Sequence, residues 1–372
     1  MEPFRPTCAE IDLKALHHNI DEVRGALLPG TKFMAIVKAN AYGHGAIEVS
    51  RAAEKARVDH LGVATLGEAL ELRSAYIKTP ILILSESPAP YVERIIDADL
   101  TQTVYTSELA QALSDAAFQK KKTAKVHIKI DTGMGRVGLL PDRAALVVKQ
   151  ISKLPNIFIE GIFTHFSKAD DPSSDFTLKQ FDLFNRVLSE LKKEGIDPPV
   201  KHAANSAAAL YFPQTQLDMA RIGLLMYGLA PSCGKKTSLD LKPVLSFKTK
   251  VLYVKEVEKG TPLSYGASFF TSKKTKIATL PVGYADGLSR GLSNKGSVII
   301  KGKKYPIVGN ITMDMVLVDA DDGKIENGDD AVIIGEQGDE KITADEIALL
   351  DGTINYEVIC GIGKRVPRVY IR

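Results

Sequence analysis

An apolar run, Phe33-Met34-Ala35-Ile36-Val37, ends in Lys38, and the chain continues Ala39-Asn40-Ala41-Tyr42-Gly43-His44-Gly45. The run reads as a short buried strand and the glycine-bearing stretch as a turn; a helical pattern begins near Ala46. A lysine at the carboxyl end of a buried strand sits where barrels and open α/β sheets place their chemistry. Apolar surroundings penalise its charge, lower its pKa and turn the amine into a nucleophile suited to a carbonyl cofactor. The competing reading is a strand-end lysine that reaches water.

A second stretch, Val126-His127-Ile128-Lys129-Ile130-Asp131-Thr132-Gly133-Met134-Gly135-Arg136, alternates in polarity. Val126, Ile128 and Ile130 share one face of a strand; His127, Lys129 and Asp131 share the other. In a barrel the apolar face packs on the helices and the polar face turns inward. Lys129 and Arg136 then place two cations in a confined site, which is costly unless one is neutralised. A water-filled mouth with Asp131 as partner fits the same pattern.

Other candidates are weaker singly. His165 follows residues 162–164, where a histidine serves as a structural hydrogen bonder or as an acid and base. Asn205-Ser206 precedes a helical pattern, so Ser206 can offer its hydroxyl and a helix-start N–H to a phosphate. In Arg221-Ile222-Gly223-Leu224 the glycine lets backbone approach a ligand closely. Phosphate sites in barrels often use the loops after the seventh and eighth strands. Tyr265, Tyr284 and Tyr356 lie beside turns, as does Met313-Asp314. Half-buried packing is the ordinary role of such tyrosines.

These residues need elements to hold them. Strand-like runs at 9–13, 33–37, 60–64, 81–84, 101–105, 125–131, 158–165, 200–203 and 217–222 alternate with helical patterns at 16–27, 67–76, 91–96, 107–118, 143–154 and 176–193. In the last of these, Phe181, Phe184, Leu188 and Leu191 share a face, and Gly195 fits a C-cap. The alternation predicts an α/β chain with an N-terminal (β/α)8 barrel; an open doubly wound sheet is the alternative. From about Lys242 the helical period fades. Strands are expected at 244–257, 276–281, 297–300, 305–308, 315–319, 330–334 and 366–371, with one helix at 343–350 opened by a Thr343/Glu346 capping box. The expected division is a barrel, 1–240, and a C-terminal mostly β domain, 241–372, with 232–240 as linker.

The 372 residues are 45% hydrophobic and 25% charged, enough for a normal core. A formal net charge of +3 gives no case for a nucleic-acid partner. The clusters Lys120-Lys121-Lys122, Lys235-Lys236 and Lys301-Gly302-Lys303-Lys304 read as solvated loops or helix ends. No secretory h-region and no membrane span are visible, so a cytoplasmic protein is expected. Cys8, Cys233 and Cys360 are widely spaced and fit reduced thiols rather than a disulfide frame or a metal site.

Taken in order, the lysine stretch at 35–45, the 126–136 segment and the motifs around Tyr265, Tyr284 and Met313 resemble the alanine racemases, over nearly the whole chain from Ala9 to Arg368. The resemblance implies pyridoxal 5'-phosphate (PLP) attached to Lys38 and no metal. It implies a carbamylated Lys129 holding Arg136, which contacts the cofactor. His165 lies near the cofactor ring, and Arg221 faces the pyridine nitrogen. Tyr42 and Tyr356 meet the phosphate; Asn205, Ser206, Gly223 and Leu224 complete the cofactor site. Tyr265 is the second catalytic base, entering from the partner of a homodimer. Arg136, Tyr284, Met313 and Asp314 line the substrate's pocket or entry. Thr312, Met315 and Leu224 depart from the usual pattern and bear on pocket size. The implied reaction interconverts L- and D-alanine by two bases, supplying D-alanine for peptidoglycan. A serine or broader racemase, or a decarboxylase of the same fold, is the runner-up. A single-domain PLP-binding protein would lack the residues after about 240.

Overall fold

The computed structural model describes residues 5–231, 237–321 and 323–371. The linker expected at 232–240, including Cys233, Lys235 and Lys236, falls largely outside them. The chain forms two compact units: His17–Ala41 with Ala46–Met226, and the described residues of Met1–Leu16 with Tyr42–Gly45 and of Tyr227–Arg372.

The first unit is built on eight parallel strands: Lys32–Ile36, His60–Val63, Ile81–Ile83, Thr101–Val104, Ala124–Lys129, Ile157–Phe163, Val200–His202 and Met219–Ile222. Each pairs with the next through the seventh, and the eighth pairs with the first. Single hydrogen bonds from Asp218 N to Lys201 O and from Arg221 N to Ala204 O, both 3.0 Å, join the seventh and eighth. The sheet is thus a nearly closed barrel, which excludes an open doubly wound sheet. The strands read as continuous apolar runs because both faces are covered. Leu61, Ile81, Ile83, Val126 and Ile128 are all buried. Outside, the Phe176–Lys193 helix buries Phe184, Val187 and Leu191. The interior is unusually polar on one side: His127, Lys129, His202 and Arg221 are all buried.

The first expected strand does not enter the barrel. Cys8–Asp12 pairs antiparallel with Leu245–Lys250 and parallel with Arg368–Ile371 in the second unit. Its burial alternates residue by residue, whereas the His60–Val63 and Thr101–Val104 barrel strands are buried throughout. An alternating strand suits a sheet with one covered face.

The second unit's main sheet runs Lys303–Pro306, Ser297–Ile300, Asp330–Gln337, Leu245–Lys250, Cys8–Asp12, Arg368–Ile371, with Glu340–Ile342 beside Asp330–Gln337. A three-stranded sheet holds Tyr253–Val257, Thr275–Leu280 and Val316–Asp321. The single strand expected at 244–257 is therefore two strands in different sheets. A capped helix forms at Ala344–Asp351, where Thr343 Oγ1 accepts from Glu346 N at 3.0 Å. A second helix, Asn355–Cys360, is too short to show a period. Among the described residues no helix is long and apolar enough to cross a membrane, and no cluster of metal-ligating side chains occurs. Neither Cys8 nor Cys360 forms a disulfide.

One buried ion cluster ties this unit together. Asp286, fully buried, accepts from Arg5 at 2.9 and 3.2 Å, from Arg365 at 2.6 and 3.1 Å and from Gly283 N at 3.0 Å. Arg365 also reaches Asp314 at 2.6 Å. Burial alone would raise the Asp286 pKa, but the two guanidiniums and the Gly283 N–H hold it below the ordinary carboxylate value. Its contribution is therefore present above the unfolded carboxylate pKa of about 4 and is lost as pH falls through the lower folded value. Asp286→Asn should cost about 2 kcal/mol, less than a wholly buried pair because both arginines are partly exposed. Thermal unfolding at neutral pH checks this; an unchanged Tm contradicts it.

Candidate active site

Lys38 follows the first barrel strand and is half-buried. The backbone after it turns left-handed: Ala39, Asn40 and Ala41 have φ/ψ of 52/51, 54/45 and 53/51. Sequence reading anticipates a turn but not its hand, since L-residues pay about 1–2 kcal/mol each to adopt it. Side chains hold it in place. Ala39 N donates to Glu68 Oε1 at 2.7 Å, while Glu68 Oε2 accepts from Ala64 N at 2.7 Å. Asn40 Oδ1 accepts from Ala46 N at 2.8 Å. Because Ala39 is exposed and sits at a left-handed φ of 52, Ala39→Gly should raise Tm by about 1–2 °C. A lower Tm would show that the turn is not strained at that residue.

Three cations act on a fourth, Lys129, at this end of the barrel. Lys129 is only 4% exposed; burial, then Arg136 and Arg221, push its pKa down to about 8, with Lys38 adding to the shift and Asp131 opposing it. Asp131 is engaged elsewhere. Its Oδ1 accepts from Gly133, Met134 and Gly135 N at 3.0, 2.9 and 3.1 Å, shaping the turn toward the exposed Arg136. His165 is pushed well below its ordinary value by burial, then by Arg221, Arg136, Lys129 and Lys38.

Arg221 is buried, and Thr164 O and Ala203 O accept from its Nη2 at 2.7 and 2.8 Å. The same Nη2 donates to His165 Nδ1 at 3.2 Å, so the His165 proton sits on Nε2. Burial lowers the arginine to about 9, which leaves it charged at neutral pH. Asn205 caps the Ser206–Tyr211 helix by accepting from Ala208 N at 2.9 Å. Ser206 Oγ accepts from Gly223 N at 2.9 Å, which joins the ends of the last two strands. Leu224 is buried and opens a short 3-10 turn. Lys38, Arg136 and Arg221 thus lie within electrostatic range of both Lys129 and His165, and Asn205, Ser206 and Gly223 share one hydrogen-bonded corner.

The second unit gathers the tyrosines in two groups. The Tyr42 ring lies 5.1 Å from Tyr227 and 6.1 Å from Tyr356, and burial raises its pKa. Gly45 must be glycine: φ is +97 and a Cβ would lie 1.9 Å from Tyr370 Oη. The other group is exposed. Tyr265 is 75% exposed and lines an open cavity of about 420 Å³ with Tyr284, Met313 and Asp314. Backbone bonds pin these loops, from Tyr284 N to Thr312 O at 3.0 Å and from Ala285 N to Met313 O at 3.1 Å. A Cβ on Gly283 would lie 2.3 Å from Thr312 O. A larger cavity of about 920 Å³, lined by Leu229, Pro243 and Ile342 among others, contains none of the candidate residues.

Sequence reading missed Glu68, Glu160, His202 and the Asp286 cluster as supporting groups. His127 and Lys129 alternate inward on one strand, which pointed to a polar barrel interior without naming its partners.

A parallel barrel carrying a strand-end lysine among buried cations defines an enzyme site built to hold an anion beside an amine. Residues 11–231 match the alanine racemase N-terminal domain and residues 244–370 the alanine racemase C-terminal domain. The alanine racemase of Halothermothrix orenii is 47% identical over 98% of this chain and 97% of its own length. The crystal structure of alanine racemase from D-cycloserine-producing Streptomyces lavendulae superposes with a TM-score of 0.96 at 38% identity, covering 100% of this chain and 98% of that one. That of Bartonella henselae, with covalently bound pyridoxal phosphate, gives 0.88 at 30% identity, covering 98% and 99%. The chain belongs to the alanine racemase family, whose members are PLP-dependent amino-acid isomerases. The match to both domains excludes the single-domain binding protein, and the serine and decarboxylase readings are not favoured.

Proposed function

We propose that this chain interconverts L- and D-alanine with PLP held at Lys38. The carrying observation is the donor set: Lys38, Arg136 and Arg221 all act on the buried Lys129, and the nearby carboxylate, Asp131, is committed to backbone N–H groups. Such a set fits an anionic cofactor and an amino-acid carboxylate. Ser206, Asn205, Gly223, Leu224, Tyr42 and Tyr356 are the phosphate-side residues. When bound, PLP delocalises the charge left when the Cα proton is removed.

Each face of Cα then needs its own base. Lys38 takes the proton of the D-isomer and Tyr265, from a second copy of the chain, that of the L-isomer; each returns a proton to its own face. The 75% exposure of Tyr265, on one rim with Tyr284 and Met313, supports its serving a partner's site in a homodimer. A phenol needs its pKa of about 10 lowered to act as a base near neutrality. His165 can do this, because its Nε2–H is the one left to donate to a phenolate. Arg221 is charged at neutral pH and, with PLP bound, would offer the ring nitrogen a hydrogen bond rather than a proton, which would disfavour transamination. Lys129, with its pKa near 8, is primed for carbamylation, and the resulting anion would hold Arg136. Arg136, Tyr284, Met313 and Asp314 contact or admit the substrate, and Tyr265 with Tyr356 leaves room for a methyl group.

In this reading residues 1–240 supply all of the cofactor site except Tyr356, and 241–372 supply Tyr356 and the partner-facing groups. The enzyme works in the cytoplasm and supplies D-alanine for peptidoglycan. Borohydride reduction of PLP-loaded protein should fix the cofactor on the peptide containing Lys38; fixation on another lysine contradicts the assignment. With 13C-bicarbonate, one carbamate carbon signal should appear and vanish in Lys129→Ala. Its persistence there would move the modification elsewhere.

A further inference from the structure

The barrel interior contains a hydrogen-bonded chain that the two-base reaction leaves unused. Arg221 carries only donors, so His202 Nδ1, 3.1 Å from its Nη1, accepts. The His202 proton then lies on Nε2, 2.8 Å from His127 Nδ1. That nitrogen also accepts, which leaves His127 Nε2–H to donate to Glu160 Oε2 at 3.3 Å. Thr101 Oγ1 donates to the same oxygen at 3.0 Å. The two ends enforce one direction: the guanidinium can only give and the carboxylate can only receive.

The charges explain why such a chain is present. His127 and His202 are fully buried, and burial is the first cause that keeps both neutral. Burial alone would raise Glu160, yet the hydrogen bonds from His127 and Thr101 pull it below its ordinary value. The described contacts of Arg221 are carbonyl oxygens, imidazole nitrogens and the face of the Phe163 ring, not carboxylates. A buried cation without a counter-charge is expensive. Hydrogen-bonded rings polarise one another, so an anion at the far end acts on the cation at the near end.

We propose that Glu160 is the counter-ion of Arg221, acting through His127 and His202, and that these three are positioning residues that draw the guanidinium's charge into the barrel. The consequence for the cofactor ring rests on the PLP reading above; the chain itself does not. With Glu160 in place, Arg221 is a weaker donor toward the ring nitrogen than an uncompensated guanidinium would be.

Side-chain 15N NMR of the cofactor-free full chain tests the direction. Both histidines should be neutral with the proton on Nε2; a proton on Nδ1 of either overturns the proposal. Thermal unfolding tests the coupling. Glu160→Gln keeps an acceptor and removes the charge, and should lower Tm by about 5 °C; in an Arg221→Leu background it should cost under about 1 °C. Equal losses in both backgrounds contradict a counter-ion role. Should Arg221→Leu not fold, Glu160→Asp against Glu160→Gln decides: the charged variant should keep the higher Tm, and the reverse order overturns the proposal. In protein loaded with ring-15N PLP, Glu160→Gln should move the ring nitrogen toward its protonated position, and an unmoved resonance contradicts the effect on the cofactor. If the wild type binds no PLP, the reading of the previous section fails, while the tautomers and the unfolding cycle still decide this one.

Discussion

Lys38→Ala should lose racemisation by about four orders of magnitude or more, and borohydride should fix no cofactor on it. Two losses combine in this one substitution. The amine that anchors the cofactor is gone, and so is the base on one face of Cα. The left-handed turn that follows Lys38 sets where the side chain leaves the strand, and its supports, Glu68 and Asn40, are untouched by the change. The variant should therefore keep its fold. Circular dichroism and reduction followed by peptide mass analysis check the result. Cofactor fixed to a different lysine, with activity near wild type, would remove Lys38 from the reaction.

Tyr265→Phe should slow racemisation by about 10²–10⁴-fold, the usual worth of one positioned base, while the cofactor stays attached. The loss should be one-sided at the level of the proton. Lys38 can still exchange the Cα proton of D-alanine with deuterium from solvent, but conversion to the other enantiomer needs the missing phenol. Stability should change little, because the ring is 75% exposed and its loop is pinned through the backbone, with Asn310 Nδ2 donating to Tyr265 O at 2.7 Å. Mixing Lys38→Ala with Tyr265→Phe protein tests whether the two bases come from different copies. Subunit exchange should create one site with both bases and restore part of the activity. Proven exchange without recovery would place both bases on one chain.

Much of this fold is legible in the residues. The barrel strands announce themselves because burial on both faces demands apolar runs, and the runs recur at the spacing a helix needs. Closure is not legible: it depends on the pairing of Lys32–Ile36 with Met219–Ile222, far apart in the chain. The destination of Cys8–Asp12 is hidden for the same reason, although its alternating pattern carried a hint. The left-handed turn after Lys38 contains no glycine at Ala39, Asn40 or Ala41, so no residue type marks it. Glu160 is equally silent. Its meaning arises only when a barrel brings it to His127, and His127 to His202. Single positions with special residue types, such as Lys38, Arg136 and Arg221, stand out in a sequence; the groups that compensate them are set by tertiary neighbours.

The most direct test is the conversion of L-alanine by the purified full chain with PLP added, read by chiral chromatography. The account predicts that D-alanine appears and rises to a near-equal mixture, with the same end point reached from D-alanine. A yellow, lysine-linked protein that forms no D-alanine would contradict it.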